Sequence, residues 1–169
     1  EDLQVSQFQP ETTTFVIGNA ASASTQGVEM DMVFQASENL QLYAEFGYNK
    51  AEQDSYPNVS CYAFQPREPG ECEDLNGDGR FFQDLSGETL ALAPKFSGSL
   101  GFEWMKPIGS GWLTTLSAEG IYTDDYRTSS NAQPLAVQSS FWRLRARVGV
   151  QSADGKYDFS IIGRNLTDE

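Results

Sequence analysis

Residues 140–152, SFWRLRARVGVQS, set Arg143, Arg145 and Arg147 at every second position, between Trp142, Leu144, Ala146, Val148 and Val150. Successive side chains of an extended strand point to opposite faces, so this stretch has one apolar face and one guanidinium-rich face. Two architectures produce that pattern. A soluble sheet turns the apolar face to its core, whereas a membrane barrel turns it outward to lipid and its polar face toward a lumen.

The same alternation recurs outward from this segment. Leu40, Leu42, Ala44, Phe46 and Tyr48 alternate with Gln41, Tyr43, Glu45, Gly47 and Asn49, and Val28, Met30, Met32, Phe34 and Ala36 with Glu29, Asp31 and Gln35. Phe96, Leu100, Phe102 and Trp104 share one parity against Ser97, Ser99, Gly101 and Glu103, and Tyr157, Phe159 and Ile161 repeat it before Arg164. Residues 112–127 are ambiguous, because Leu113 and Ile121 oppose Leu116, Ala118 and Tyr122. With stretches around 3–9, where Leu3 and Val5 alternate with polar neighbours, and 13–19, the pattern predicts an all-β chain of about seven strands and no helix.

The connections discriminate further. ASENL at 36–40, KPIGSG at 106–111 and QSADGK at 151–156 carry the Gly, Pro, Asn and Asp of tight turns. Between them lie a long segment at about 51–94 and a medium one at about 128–139. In an antiparallel up-and-down meander this order puts every short turn at one end and every long loop at the other, the asymmetry of an outer-membrane barrel. Phe34, Trp104, Trp112, Trp142 and Tyr157 fall at or near strand ends, where interfacial aromatics form girdles.

Bulk properties remove other classes. No apolar run approaches the roughly 20 residues of a spanning helix, yet a mean hydropathy of −0.44 is compatible with a barrel, whose strands are half polar. A net charge of −13 disfavours nucleic acid as a partner. Histidine is absent, there is no Gly-x-Ser-x-Gly elbow or phosphate loop, and the carboxylates are scattered, so an enzyme is not expected. Neither end reads as a natural terminus. There is no initiator Met or signal peptide, EDLQVSQFQ already alternates, and Glu169 follows GRNLTD without a closing turn, so a piece of a longer protein is expected.

Residues 51–94 hold the most distinctive chemistry. Cys61 and Cys72 are the only cysteines, an even count that predicts one disulfide in an oxidising compartment. DLNGDG at 74–79 begins like a calcium loop, with Asp74, Asn76 and Asp78 at alternating positions and the carbonyl of Arg80 next. The twelfth position, where an EF-hand wants a bidentate Glu, is Leu85, with Asp84 one residue early. A calcium site and a plain acidic turn both remain open. Glu52, Asp54, Glu68, Glu71, Glu73, Asp74, Asp78, Asp84 and Glu88 outnumber Arg67 and Arg80, a balance that suits cationic ligands over anionic ones. Tyr56, Tyr62, Phe64, Phe81 and Phe82 supply either a stacking surface or a small loop core.

Three segments carry a family likeness. STQGVEMDMVFQASENLQLYAEFGY, QDLSGETLALAPKFSGSLGFEW and GRNLTDE resemble the C-terminal barrel region of TonB-dependent outer-membrane receptors, through Gly27 to Asp31, Ala93 to Lys95 and Asn165 to Asp168. The resemblance implies an arc of a barrel of about 22 strands, with a plug domain in its lumen and TonB as its energy-coupling partner. It implies outer-membrane lipid of a Gram-negative bacterium as surroundings, and a scarce small-molecule ligand, a ferric siderophore by default. Under it, residues 1–169 form one barrel segment lacking the plug and the last strand, not transport-competent alone. Arg143, Arg145, Arg147 and Arg164 then line the lumen with Glu29, Asp31, Glu45, Glu103 and Asp158. The alternative is a soluble, calcium-stabilised β-sandwich that binds carbohydrate.

Overall fold

The computed structural model describes residues 3–9, 14–20 and 22–169, and every regular element among them is a strand. The alternation read at Leu3 and Val5 and the start of the second stretch at residue 13 lie outside the described side chains and residues. In chain order the strands are β1 (Leu3–Gln9), β2 (Thr14–Ala20), β3 (Ser22–Ser37), β4 (Leu40–Ser55), β5 (Val59–Ser60), β6 (Phe82–Gln83), β7 (Phe96–Ile108), β8 (Trp112–Thr123), β9 (Tyr126–Arg127), β10 (Val137–Gln138), β11 (Phe141–Ser152) and β12 (Asp158–Gly163). Six of them form one sheet in the order β12-β11-β8-β7-β4-β3, the meander expected for an arc of barrel. The others pair as ribbons, β1 with β2, β5 with β6 and β9 with β10.

Connections alternate as the sequence predicted. Glu38 and Asn39 join β3 to β4, Gly109 to Gly111 join β7 to β8, and residues 153–157 join β11 to β12. Gly109 and Gly111 have φ of 59° and 91°, the left-handed region where a Cβ is penalised. The two long connections are residues 56–95 and 124–140, each with one two-stranded ribbon inside it.

The long loop begins later than its composition suggested. Strand β4 runs to Ser55, because residues 49–55 find backbone partners in the returning chain: Gln53 N–H donates to Glu88 O at 2.9 Å and Leu90 N–H to Ala51 O at 3.0 Å. Lys50, Glu52 and Asp54 alternate with Ala51, Gln53 and Ser55, and so little apolar contrast hides a strand whose ladder nonetheless continues.

Two compact units are distinguishable. One comprises residues 28–48, 96–124 and 140–169, the greater part of the six-stranded sheet. The other comprises residues 1–27, 49–95 and 125–139 and contains the fully buried hydrophobic side chains of the described chain, Tyr56 and Val59, packed with Leu85 and with Ala132 against them.

Candidate functional site

In the sheet unit the strand registers decide which side chains share a face. Arg143, Arg145 and Arg147 of β11 stand opposite Ile121, Glu119 and Ser117 of β8. Glu119 and Ser117 stand opposite Gly101 and Glu103 of β7, which oppose Tyr43 and Gln41 of β4. On the other side of β11, Gln151 pairs with Asp158 and Arg147 with Ile162. Gln41 Nε2 donates to Gln35 Oε1 at 3.4 Å, which brings the Glu29, Asp31 and Gln35 parity of β3 onto the same face.

This polar face satisfies itself largely across strands. Arg147 Nη2 donates to Asp158 Oδ2 at 2.7 Å, Ser99 Oγ donates to Glu45 Oε2 at 3.2 Å, and the Arg145 guanidinium pairs with the Glu119 carboxylate. Glu119 is only 8% exposed, so its charge is held by that partner more than by water. Tyr43 lies over Gly101, where any Cβ would fall 2.4 Å from the ring. Arg145, Arg147 and Arg164 border one hollow with Glu119 and Tyr43, and Glu29, Asp31 and Glu45 border another that Arg145 also reaches. Glu103 shares the face by register, and Arg143 lies with its guanidinium carbon 5.7 Å from the Phe141 ring centroid. Glu119 is an addition to the residues that periodicity nominated, and Tyr43, already on the polar parity of β4, joins it at the hollow. Strand pairing would have revealed Glu119, but Leu113 and Ile121 share its parity and obscured the polar face of β8.

The opposite face is apolar and uncovered. Leu40, Leu42, Ala44 and Phe46 of β4 stand opposite Trp104, Phe102, Leu100 and Gly98, and Leu144 and Val148 of β11 opposite Gly120 and Leu116. Leu100 is 61% exposed and Ile161 76%. A soluble sandwich would bury this face under a second layer, which these exposures contradict. Aromatic rings bound it at both margins. Tyr48 with Phe96 and Tyr122 with Trp142, ring centroids 5.4 and 5.1 Å apart, lie toward the long connections, and Trp104, Trp112 and Phe159 toward the short ones. Trp112 to Tyr122 spans about 34 Å of strand, which a tilt of about 40° reduces to about 26 Å of height, matching the apolar band of a barrel.

The loop unit holds the remaining predicted residues. Cys61 and Cys72 form the disulfide, Cα atoms 6.1 Å apart. Closing so short a loop contributes about 3 kcal/mol in the chain-entropy picture. In the DLNGDG turn, Asp74 Oδ1 accepts from Asp78 N–H at 3.2 Å and its Oδ2 from Gly79 N–H at 2.9 Å, and Asp78 Oδ1 accepts from Arg80 N–H at 3.0 Å. Asp84 instead accepts from Ser86 Oγ at 2.5 Å and from Ser86 N–H at 2.8 Å, bonds that hold its carboxyl below the usual aspartate range, the hydroxyl's first. Asp74 and Asp78 thus share one turn, whereas Asp84 serves another. Among the described residues, no three Asp, Glu, Cys or His side chains cluster as metal ligands. Leu85, at the twelfth position of the motif, belongs to the loop core with Tyr56 and Val59.

A sheet with one ion-paired face, one bare apolar face and an aromatic band at each margin is an arc of membrane-spanning β-barrel. The chain belongs to the TonB-dependent receptors: the family model described as TonB dependent receptor-like, beta-barrel matches residues 1–166. Barrels of this family reside in the outer membrane of Gram-negative bacteria, and its members are transporters rather than enzymes. A comparison with curated proteins finds no match.

Proposed function

We propose that residues 1–169 form one segment in the wall of a larger receptor barrel that takes up a scarce ligand of the ferric siderophore class. The polar face lines the lumen and meets the plug domain there, and TonB supplies the energy. The observation that carries this reading is the segregation of faces across five neighbouring pairs of strands, with Arg145–Glu119 and Arg147–Asp158 on one side and Leu100, Leu144 and Val148 on the other. Strands β12 and β3 end the described sheet without a further neighbour in it, and bare edges cannot persist in lipid, so the wall needs more strands before it can transport.

Nitroxide labels at Arg143 and Leu144, adjacent positions of β11, test the orientation in the receptor embedded in lipid vesicles. The Leu144 label is expected to relax with lipid-dissolved oxygen and the Arg143 label with a water-soluble nickel chelate. Equal response at both positions would sink the barrel-wall assignment. Radiolabelled ferric chelates offered to cells carrying the receptor test the ligand class, with uptake expected only when TonB is present. Uptake that persists without TonB, or that discriminates against every iron chelate offered, rejects it.

A further inference from the structure

Residues 60–82 surround a hollow of about 310 Å³ whose chemistry differs from the loop around it. Of the charged residues between 51 and 94, nearly all are carboxylates, yet none of these lines the hollow, and both arginines do. Arg67 lies over the Phe81 ring with its guanidinium carbon 3.9 Å from the centroid. A cation held over a ring face is attracted by the ring's quadrupole, and a guanidinium there still carries N–H donors that can meet an acceptor. Among the described residues neither Arg67 nor Arg80 has a carboxylate partner in an ion pair. Two arginines without an ion-pair partner among the described residues therefore line one small hollow.

The aromatic side of the hollow is equally specific. Tyr62, Phe64 and Phe81 line it, and Phe64 is fully exposed with φ of 66°, a left-handed conformation that bulky side chains rarely adopt. Rigidity comes from the Cys61–Cys72 bridge and from Gln65, whose Oε1 accepts from Tyr62 N–H at 3.0 Å while its Nε2 donates to Gln83 Oε1 at 3.0 Å. The loop thus brings an exposed aromatic residue and two arginines to one hollow, on a frame pinned by the disulfide and by Gln65.

The geometry points to a binding site for a planar organic anion of the aromatic carboxylate class, its ring against Phe64 and its carboxylate on Arg67 and Arg80. The loop's net acidity disfavours anions at its surface at large, and this hollow is the local exception, selecting anions that also carry a flat ring. The inference deepens the uptake reading by naming a group the ligand would present, but the site stands on the loop alone.

Isothermal titration of the receptor in detergent with benzoate and 2-naphthoate tests it. A Kd on the order of 1 mM is expected for ligands this small. Cyclohexanecarboxylate, with the charge and no flat ring, and benzamide, with the ring and no charge, are each expected to bind at least fivefold more weakly. Arg80→Gln and Arg67→Gln are expected to weaken benzoate at least tenfold, and Arg80→Lys to fall between, since an ammonium lacks the two-pronged donor edge. Mass measurement of the intact disulfide in each variant establishes that the loop has folded. No saturable binding of either carboxylate, binding indifferent to both arginines, or equal affinity for cyclohexanecarboxylate each overturns the site. Carboxylate binding without ligand uptake by cells would retain the site and remove only the transport reading, whereas uptake without such binding would do the reverse.

Discussion

Replacing Leu100 by arginine puts the lipid-facing assignment at greatest risk. Leu100 lies on β7 midway between Phe96 and Trp104, the outermost of the outward aromatics of that strand, and stands opposite Ala44 and Gly120 on the apolar face. Four residues to either ring is about 14 Å along the strand and about 10 Å in height after tilt, so the side chain sits close to the bilayer midplane. A guanidinium at that depth on the lipid face costs about 2–4 kcal/mol, or about 30- to 900-fold in the folding equilibrium. Glu45→Arg, one residue from Ala44 and on the opposite face, breaks one hydrogen bond from Ser99 in a wet, mixed-charge setting and is expected to cost less than about 1 kcal/mol. Guanidinium titrations of the receptor folding into phospholipid vesicles measure both. If Leu100→Arg were tolerated as well as Glu45→Arg, the apolar face would not be in lipid. If both were equally costly, the polar face would not be in water.

Three further outcomes follow from named contacts. A double-mutant cycle between Glu119→Gln and Arg145→Gln is expected to give a coupling of about 1–2 kcal/mol, reduced from that of a fully buried pair because Arg145 is largely exposed, and a coupling near zero would dissolve the pair. The Ser86 amide resonance is expected to titrate with a midpoint below the ordinary aspartate value of 3.8, because Ser86 stabilises the ionised form of Asp84. The sign follows: a depressed carboxyl contributes stability above its unfolded value and loses it as the pH falls through the folded one, so a midpoint at or above 3.8 would break the assignment. Millimolar calcium is expected to leave thermal unfolding of the loop unchanged where the DLNGDG turn is held by its own backbone amides alone, whereas a rise of several degrees abolished by chelator would establish a calcium site there.

The faces were legible in the sequence because a period of two survives any register, and Arg143, Arg145 and Arg147 keep one side of β11 whatever strand pairs with it. Which charges meet was not legible. Arg145 and Glu119 are joined by the pairing of β11 with β8, a relation that no single-strand pattern encodes, and Ile121 on the polar face makes β8 look apolar on both sides. The end of β4 was hidden for the opposite reason, since Lys50 to Ser55 are polar on both faces while their backbone goes on pairing. In the loop, the cysteine count sufficed for the disulfide. Arg67 and Arg80 lie far apart in sequence, and only the folding of the intervening chain brings them to one hollow.

The distribution of burial separates two sources of stability. Tyr56, Val59 and Leu85 give the loop unit a core of its own, reinforced by the disulfide, whereas the sheet unit leaves Leu100, Leu144, Val148 and Ile161 exposed on one face. Apolar area stabilises only where something removes it from water, and for the sheet that must be the bilayer. Detergent or lipid composition should therefore govern the sheet, and reduction of the Cys61–Cys72 bond should loosen the loop without releasing the Arg147–Asp158 pair. Sheet and loop melting together under reductant alone, followed by near-ultraviolet and far-ultraviolet circular dichroism in the same micelles, would contradict that division, because the Arg147–Asp158 contact and the strand ladder owe nothing to the bridge.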